Sequence, residues 1–218
     1  MKLFPAMLIL FAILLPCHTL AVDQILIDDF EKGLNAHWTT KSFEGETRYS
    51  VVTDGDGHVL QAQSEASASG LVYEIEFDPV EHPILSWRWK IAGTVKKGDE
   101  RTKAGDDYAA RIYVIFPHWF FPKTRTLNYI WANHLPENDI LPNAYTGNAM
   151  MIAANSGAGR AGQWVEVRRN LVEDYRRAFG EAPPEAGAIA IMTDTDNTGE
   201  AATAWYDDLR LAAAQDDL

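Results

Sequence analysis

The chain has 218 residues, 47% of them hydrophobic, and carries 31 Asp and Glu against 19 Lys and Arg, for a formal net charge of −12. That balance weighs against nucleic acid and anionic membranes as partners, and a lone cysteine rules out an internal disulfide framework. The length is enough for one sizeable core.

Residues 1–21 read as a secretory signal peptide. A basic start (Met1-Lys2) precedes the apolar run LFPAMLILFAILL, and Thr19 and Ala21 stand at the −3 and −1 positions of a cleavage site. The run is short for a membrane span, and no later segment of the mature chain is long and apolar enough to be one. Pro16 directly before Cys17 fits a lipid anchor poorly. Cleavage removes Lys2 and Cys17, leaving 18 basic against 31 acidic side chains (18 − 31 = −13). The expected location is extracytoplasmic, periplasmic or secreted, with stability resting on packing alone.

From residue 22 the pattern is strand, and residues 22–212 are expected to form one β-sandwich domain, with 213–218 a disordered tail. QILIDDF, YSVVT, HVLQAQ and GLVYEIEF open the series. ILSWRWKI puts Leu85, Trp87, Trp89 and Ile91 on one face and Ser86, Arg88 and Lys90 on the other. DYAARIYVIF groups Tyr108, Ala110, Ile112, Val114 and Phe116 opposite Arg111 and Tyr113. LNYIWAN, NAMMIAAN, QWVEVRRN, GAIAIM and TAWYDDLRL continue the alternation. Around ten short strands punctuated by Gly, Pro and Asn predict an all-β fold, a two-sheet antiparallel sandwich of jelly-roll type. One helix interrupts them: Asn170 is placed to cap LVEDYRRAF, Gly180 stops it, and its apolar stripe suits covering one end or edge of the sandwich.

GAGRAG (157–162) matches G-x-G-x-x-G literally, but the strand-like QWVEVRR follows where a dinucleotide site needs a helix, so a hairpin loop is expected. The histidines of the mature chain lack metal-ligand spacing. Trp87 and Trp89 are expected in the inter-sheet core, with Arg88, Lys90, Arg111 and Tyr113 facing away from it and Arg168 joining them. Cations on a sheet face of an acidic chain have two explanations: charge-assisted bonds to a polar or anionic ligand, or cross-strand pairing with Asp and Glu, the commoner case. HWFFP (118–122) offers rings that either stack on sugars or plug an end of the sandwich. Asp107, in GDDY, stands four residues before Arg111, a spacing that permits an ion pair without assuring it.

MTDTDNTGEA (192–201) overlaps the first half of an EF-hand loop through Asp194, Asp196 and Gly199. Its twelfth position is Trp205 where a bidentate Glu is required, and no helices flank it. A hairpin loop joining the last two strands is the expectation, and Asp194, Asp196 and Asn197 either bond locally or serve a ligand or metal.

The termini resemble carbohydrate-binding-module-like jelly rolls: IDDFEKGLNAHW looks like their opening strand and AWYDDLRL like their closing one. That resemblance implies a structural calcium held by terminal-strand acids, here Glu31 and Asp208. Through LSWRWK, KAGDDYAARIYVIF, LNYIWAN, NAMMIA, GQWVEVRRN, EDYRRAFGE, IAIMTDTDNTGEA and AWYDDLRL the chain also resembles an uncharacterised secreted bacterial family, the domain of unknown function DUF3047. It implies an exported all-β domain and brings no catalytic residue.

The leading expectation is a non-catalytic binding module for a glycan or another anionic or polar ligand. Its site residues would be Arg88, Lys90, Asp107, Arg111, Tyr113, Asp194, Asp196 and Asn197, with a structural calcium at Glu31 and Asp208 as the one candidate cofactor. The rivals are a polysaccharide hydrolase or lyase using Asp107, Asp194 and Asp196 with Arg111, and a structural envelope protein docking through residues 118–122.

Overall fold

The computed structural model describes residues 23–214; the expected signal peptide and residues 215–218 of the expected tail lie outside the described residues. Two sheets face each other. One has six strands in the order β11 (Val165–Asn170), β6 (Ile84–Ile91), β13 (Ala201–Ala212), β4 (Gly57–Glu65) and β3 (Arg48–Asp54), and β1 (Gln24–Asp28) pairs with the far end of β13. The other has seven, in the order β2 (Trp38–Glu44), β5 (Ala68–Phe77), β12 (Ala186–Asp194), β7 (Tyr108–Phe116), β8 (Arg125–Ala132), β10 (Ala149–Ser156) and β9 (Ile140–Pro142). This is the expected β-sandwich. It departs from a purely antiparallel one at a single pair, β8 with β10, which runs parallel.

Strand alternation puts the core between the sheets. Trp87 and Trp89 are buried, as their spacing predicts, and pack with Tyr129 and Trp131 at ring separations of 5.2, 5.3 and 5.8 Å. The Trp89 indole N–H donates to Asn155 Oδ1 at 2.6 Å, which satisfies a polar group that burial would otherwise strand. The helix α1 (Leu171–Phe179) begins where expected. Asn170 Oδ1 accepts from the backbone N–H of Val172 and Glu173, and Gly180 ends the helix at φ 78°. Leu171 and Tyr175 bury into the core, Tyr175 packs edge-on against Phe116, and Asp174 accepts from the Tyr129 hydroxyl, so α1 closes one end of the sandwich. Among the described residues no helix is long and apolar enough to cross a membrane.

Two loops expected as hairpins are not hairpins. The segment after β12 leads into β13, and GAGRAG lies between β10 and β11; in both cases the flanking strands belong to opposite sheets, so each loop is a crossover between layers. Period-two alternation marks which residues form strands but is silent on which sheet each strand joins.

The parallel pair shapes the outer face of the seven-stranded sheet. To bring β10 alongside β8 in the same direction, residues 133–148 return along the sheet and carry β9 with them. A second apolar cluster of Tyr108, Ile130, Ala132, Leu135, Met151 and Ala153 forms beneath this return. The face across β5, β12 and β7 stays open.

Candidate functional site

Two adjoining features occupy that outer face: a buried polar cluster at its covered end and a groove on its open part. Strand register builds both. Pairing of β12 with β7 sets Arg111 opposite Met192 and Tyr113 opposite Ala190, so these four side chains share the outer face while Ile189, Ile191, Ile112 and Val114 fill the core.

At the covered end the Arg111 guanidinium donates to Asp194 Oδ2 and to the Asp106 backbone carbonyl, to the Tyr113 hydroxyl at 3.0 Å, and lies 4.1 Å over the Tyr108 ring. Arg111 and Asp194 are both buried. Asp107 does not pair with Arg111, although both are buried here. Its two carboxylate oxygens accept the backbone N–H groups of Asn197 (3.2 Å) and Thr198 (2.6 Å), which caps the turn closed by Gly199 N–H on the Thr195 carbonyl (2.9 Å). Asn197 donates through its side chain to Asp196 Oδ2 at 2.7 Å and accepts from the Tyr145 hydroxyl at 2.7 Å. Buried hydroxyls anchor the base of this loop, with Thr195 against Ser64 at 2.7 Å and Thr193 against Tyr206 at 2.9 Å.

One carboxylate oxygen from each of Asp107, Asp194 and Asp196 lies within 4.8 Å of the others. Burial pushes the Asp194 carboxyl well above its ordinary range, opposed by Arg111 and reinforced by Asp107, Asp106 and Asp196. Asp196 is raised as well, by burial first and then by Asp107.

The groove, about 390 Å³, is floored by the small outward residues Gly70 and Ala190 and by Val72 and Ile115. Phe43, 62% exposed, and Tyr113 give it aromatic surface; Lys41, Glu74 and Thr39 give it hydrogen-bonding groups. Tyr113 links the two features, since its hydroxyl holds Arg111 while its ring lines the groove. Of the residues named from sequence, Tyr113 alone among them lines this groove. The rest of the lining carries no motif, although the outward alanines and inward isoleucines of GAIAIM make a low floor legible.

The expected single cationic face is divided. Arg111 and Tyr113 lie on the seven-stranded sheet, whereas Arg88 and Lys90 lie on the outer face of the six-stranded one, with exposed Arg168 on that same face. There the commoner explanation holds. Arg88 pairs with Asp207 across to β13 and reaches Asp208 at 3.4 Å; Lys90 pairs with Asp54 at 2.7 Å and sits 4.8 and 4.7 Å from the Trp164 and Trp205 rings. Pairing of β1 with β13 brings Glu31 within electrostatic reach of Asp208. Glu31 accepts from the His58 backbone at 3.1 Å and ring at 3.3 Å, and Asp208 faces Arg210 at 2.9 Å. The rings of residues 119–121 plug nothing: Trp119 is 92% exposed and Phe121 76%.

Residues 36–210 match the family described as a protein of unknown function, DUF3047. The chain belongs to this family. No curated protein matches it. Among solved structures, the DUF3047 chain is similar to the family 11 carbohydrate-binding module of the cellulosomal cellulase Lic26A-Cel5E of Clostridium thermocellum, at 14% identity over 91% of this chain and 99% of that one, with a TM-score of 0.52. It is also similar to the Clostridium thermocellum family 11 module in complex with a β-1,3-1,4-mixed-linked tetrasaccharide, at 13% identity over 90% and 99%, TM-score 0.46. The first likeness shows that the fold of this chain is a jelly-roll β-sandwich like that of a carbohydrate-binding module.

Proposed function

We propose that the protein is an exported, non-catalytic binding module that holds a glycan along the open outer face of the seven-stranded sheet. The observation that carries this reading is the groove itself, an open trough with a low apolar floor, two aromatic side chains and three hydrogen-bonding side chains along it. A sugar presents an apolar ring face and a rim of hydroxyls, and that chemistry calls for aromatic surface beside donors and acceptors. A solved structure of similar fold is by name a carbohydrate-binding module, which supports the reading as an analogy of fold.

The carboxylates are poorly placed for hydrolysis. Glycosidase carboxyls face each other across an open cleft. Here Asp107 and Asp194 are buried and already hold backbone amides and a guanidinium.

The test is binding of the purified protein to a panel of soluble polysaccharides by affinity gel and calorimetry, with calcium present. Retardation by at least one polysaccharide that is lost in Tyr113→Ala and Phe43→Ala supports the reading. No binding across the panel, or binding unaffected by both substitutions, overturns it.

A further inference from the structure

The geometry points to a cation-binding site formed by Asp107, Asp194 and Asp196, specific for a hard divalent ion of the calcium kind. Calcium takes oxygen ligands at about 2.3–2.6 Å, so two oxygens of one shell stand no more than about 5 Å apart. The three aspartates each offer an oxygen within 4.8 Å of the other two.

Clustered acids alone would mean little. The deciding observation is Asp194, a residue 2% exposed whose Oδ2 holds Arg111 while its Oδ1 is buried without any hydrogen-bond partner. A buried carboxylate oxygen left unpaired is costly, and it belongs to the carboxylate that faces Asp107 and Asp196. The local charge balance agrees. Asp106, Asp107 and Asp196 all oppose negative charge on Asp194, and Arg111 favours it. The terminal acids differ, since Glu31 and Asp208 are solvated, with side chains 48% and 44% exposed, and neither has a buried oxygen left without a partner. A cation among the three aspartates would relieve their mutual repulsion and tie the loop after β12, through Asp196, to the entry of β7, through Asp107.

The site is independent of any glycan and is tested without one. Protein stripped with a chelator and then freed of it is titrated with calcium chloride by calorimetry, and its Tm is recorded with and without calcium. One ion per chain with a rise in Tm is expected. Asp194→Asn disturbs the Arg111 pair and threatens the fold, so the informative variant is Asp196→Asn, whose half-buried carboxylate lies outside that pair. It is expected to weaken calcium at least tenfold while its calcium-free Tm stays near that of the wild type. Glu31→Gln is expected to bind as tightly as the wild type. The proposal is overturned by no heat and no Tm shift up to millimolar calcium, the result if water alone serves Asp194 Oδ1. It is equally overturned if Asp196→Asn binds calcium as the wild type does, or if Glu31→Gln abolishes binding.

Discussion

Arg111 and Asp194, 83 residues apart in sequence, meet across β7 and β12 as an ion pair whose side chains are only 5% and 3% exposed. Removing one partner of such a pair leaves an uncompensated buried charge, at a cost of about 3–5 kcal/mol. Arg111→Ala is therefore expected to lower the unfolding free energy by about that much in urea denaturation. The double variant Arg111→Met with Asp194→Leu is expected to recover most of the loss, because a well-packed apolar pair carries no desolvation cost. A double variant as unstable as Arg111→Ala would show that the pair's surroundings, rather than its charges, set the cost.

Phe43 and Tyr113 are the aromatic groups of the groove, and buried aromatics commonly dominate binding energy. Each alanine substitution is expected to weaken glycan binding by about 2 kcal/mol, roughly thirtyfold. Trp164→Ala and Trp205→Ala, on the opposite sheet face around Lys90, are expected to leave it unchanged. Titration calorimetry of the four variants decides between the faces.

The Trp89 indole combines core packing with a 2.6 Å bond to Asn155. Trp89→Phe keeps most of the apolar contact but leaves Asn155 Oδ1 buried and unpaired, for an expected cost of about 1–3 kcal/mol. Trp89→Ala adds a cavity and is expected to cost about 3–5 kcal/mol or more. Chemical denaturation measures both.

Asp54 Oδ2 accepts from the Lys90 ammonium at 2.7 Å and from the Trp164 indole N–H at 2.8 Å. The Lys90 bond, then the Trp164 bond, hold the Asp54 carboxyl below its ordinary value of 3.8. A depressed carboxylate contributes stability that is present above its unfolded pKa and is lost as pH falls through the folded value. The Tm advantage of wild type over Asp54→Asn is thus expected to be constant near neutrality and to shrink below pH about 4. Its mostly solvated setting keeps the effect small. A gap that widens on acidification would contradict this assignment.

Much of the fold was legible because burial imposes a period. Trp87 and Trp89 announced a core face, and Asn170 with Gly180 announced both ends of α1. What the sequence left open was long-range. Arg88 and Arg111 look alike in their strands, each a cation between apolar residues, yet they belong to opposite sheets, and no local pattern encodes that choice. The candidate site was half legible for the same reason. Asp107 and Asp194 stood out as acids, but their meeting depends on β7 lying beside β12. The groove was not legible because its floor, Gly70 and Ala190 with Val72 and Ile115, carries no polar chemistry of its own.

The last strand in sequence is also the hub of its sheet, since β13 pairs with β6, β4 and β1. Until residues 201–212 have been synthesised, β6 and β4 have no strand between them and β1 has no partner. Gln24 then pairs with Ala212, closing a loop almost as long as the described chain. Such non-local pairing places folding on the slow side for a protein of this size, and the loop-closure entropy falls due before any contact of the completed sheet offsets it. A chain without β13 therefore holds β11 with β6 and β4 with β3 as two separated strips with bare edges. Those edges would be open to aggregation, so the arrival of β13 matters more to this protein than to one whose sheets are built from consecutive hairpins.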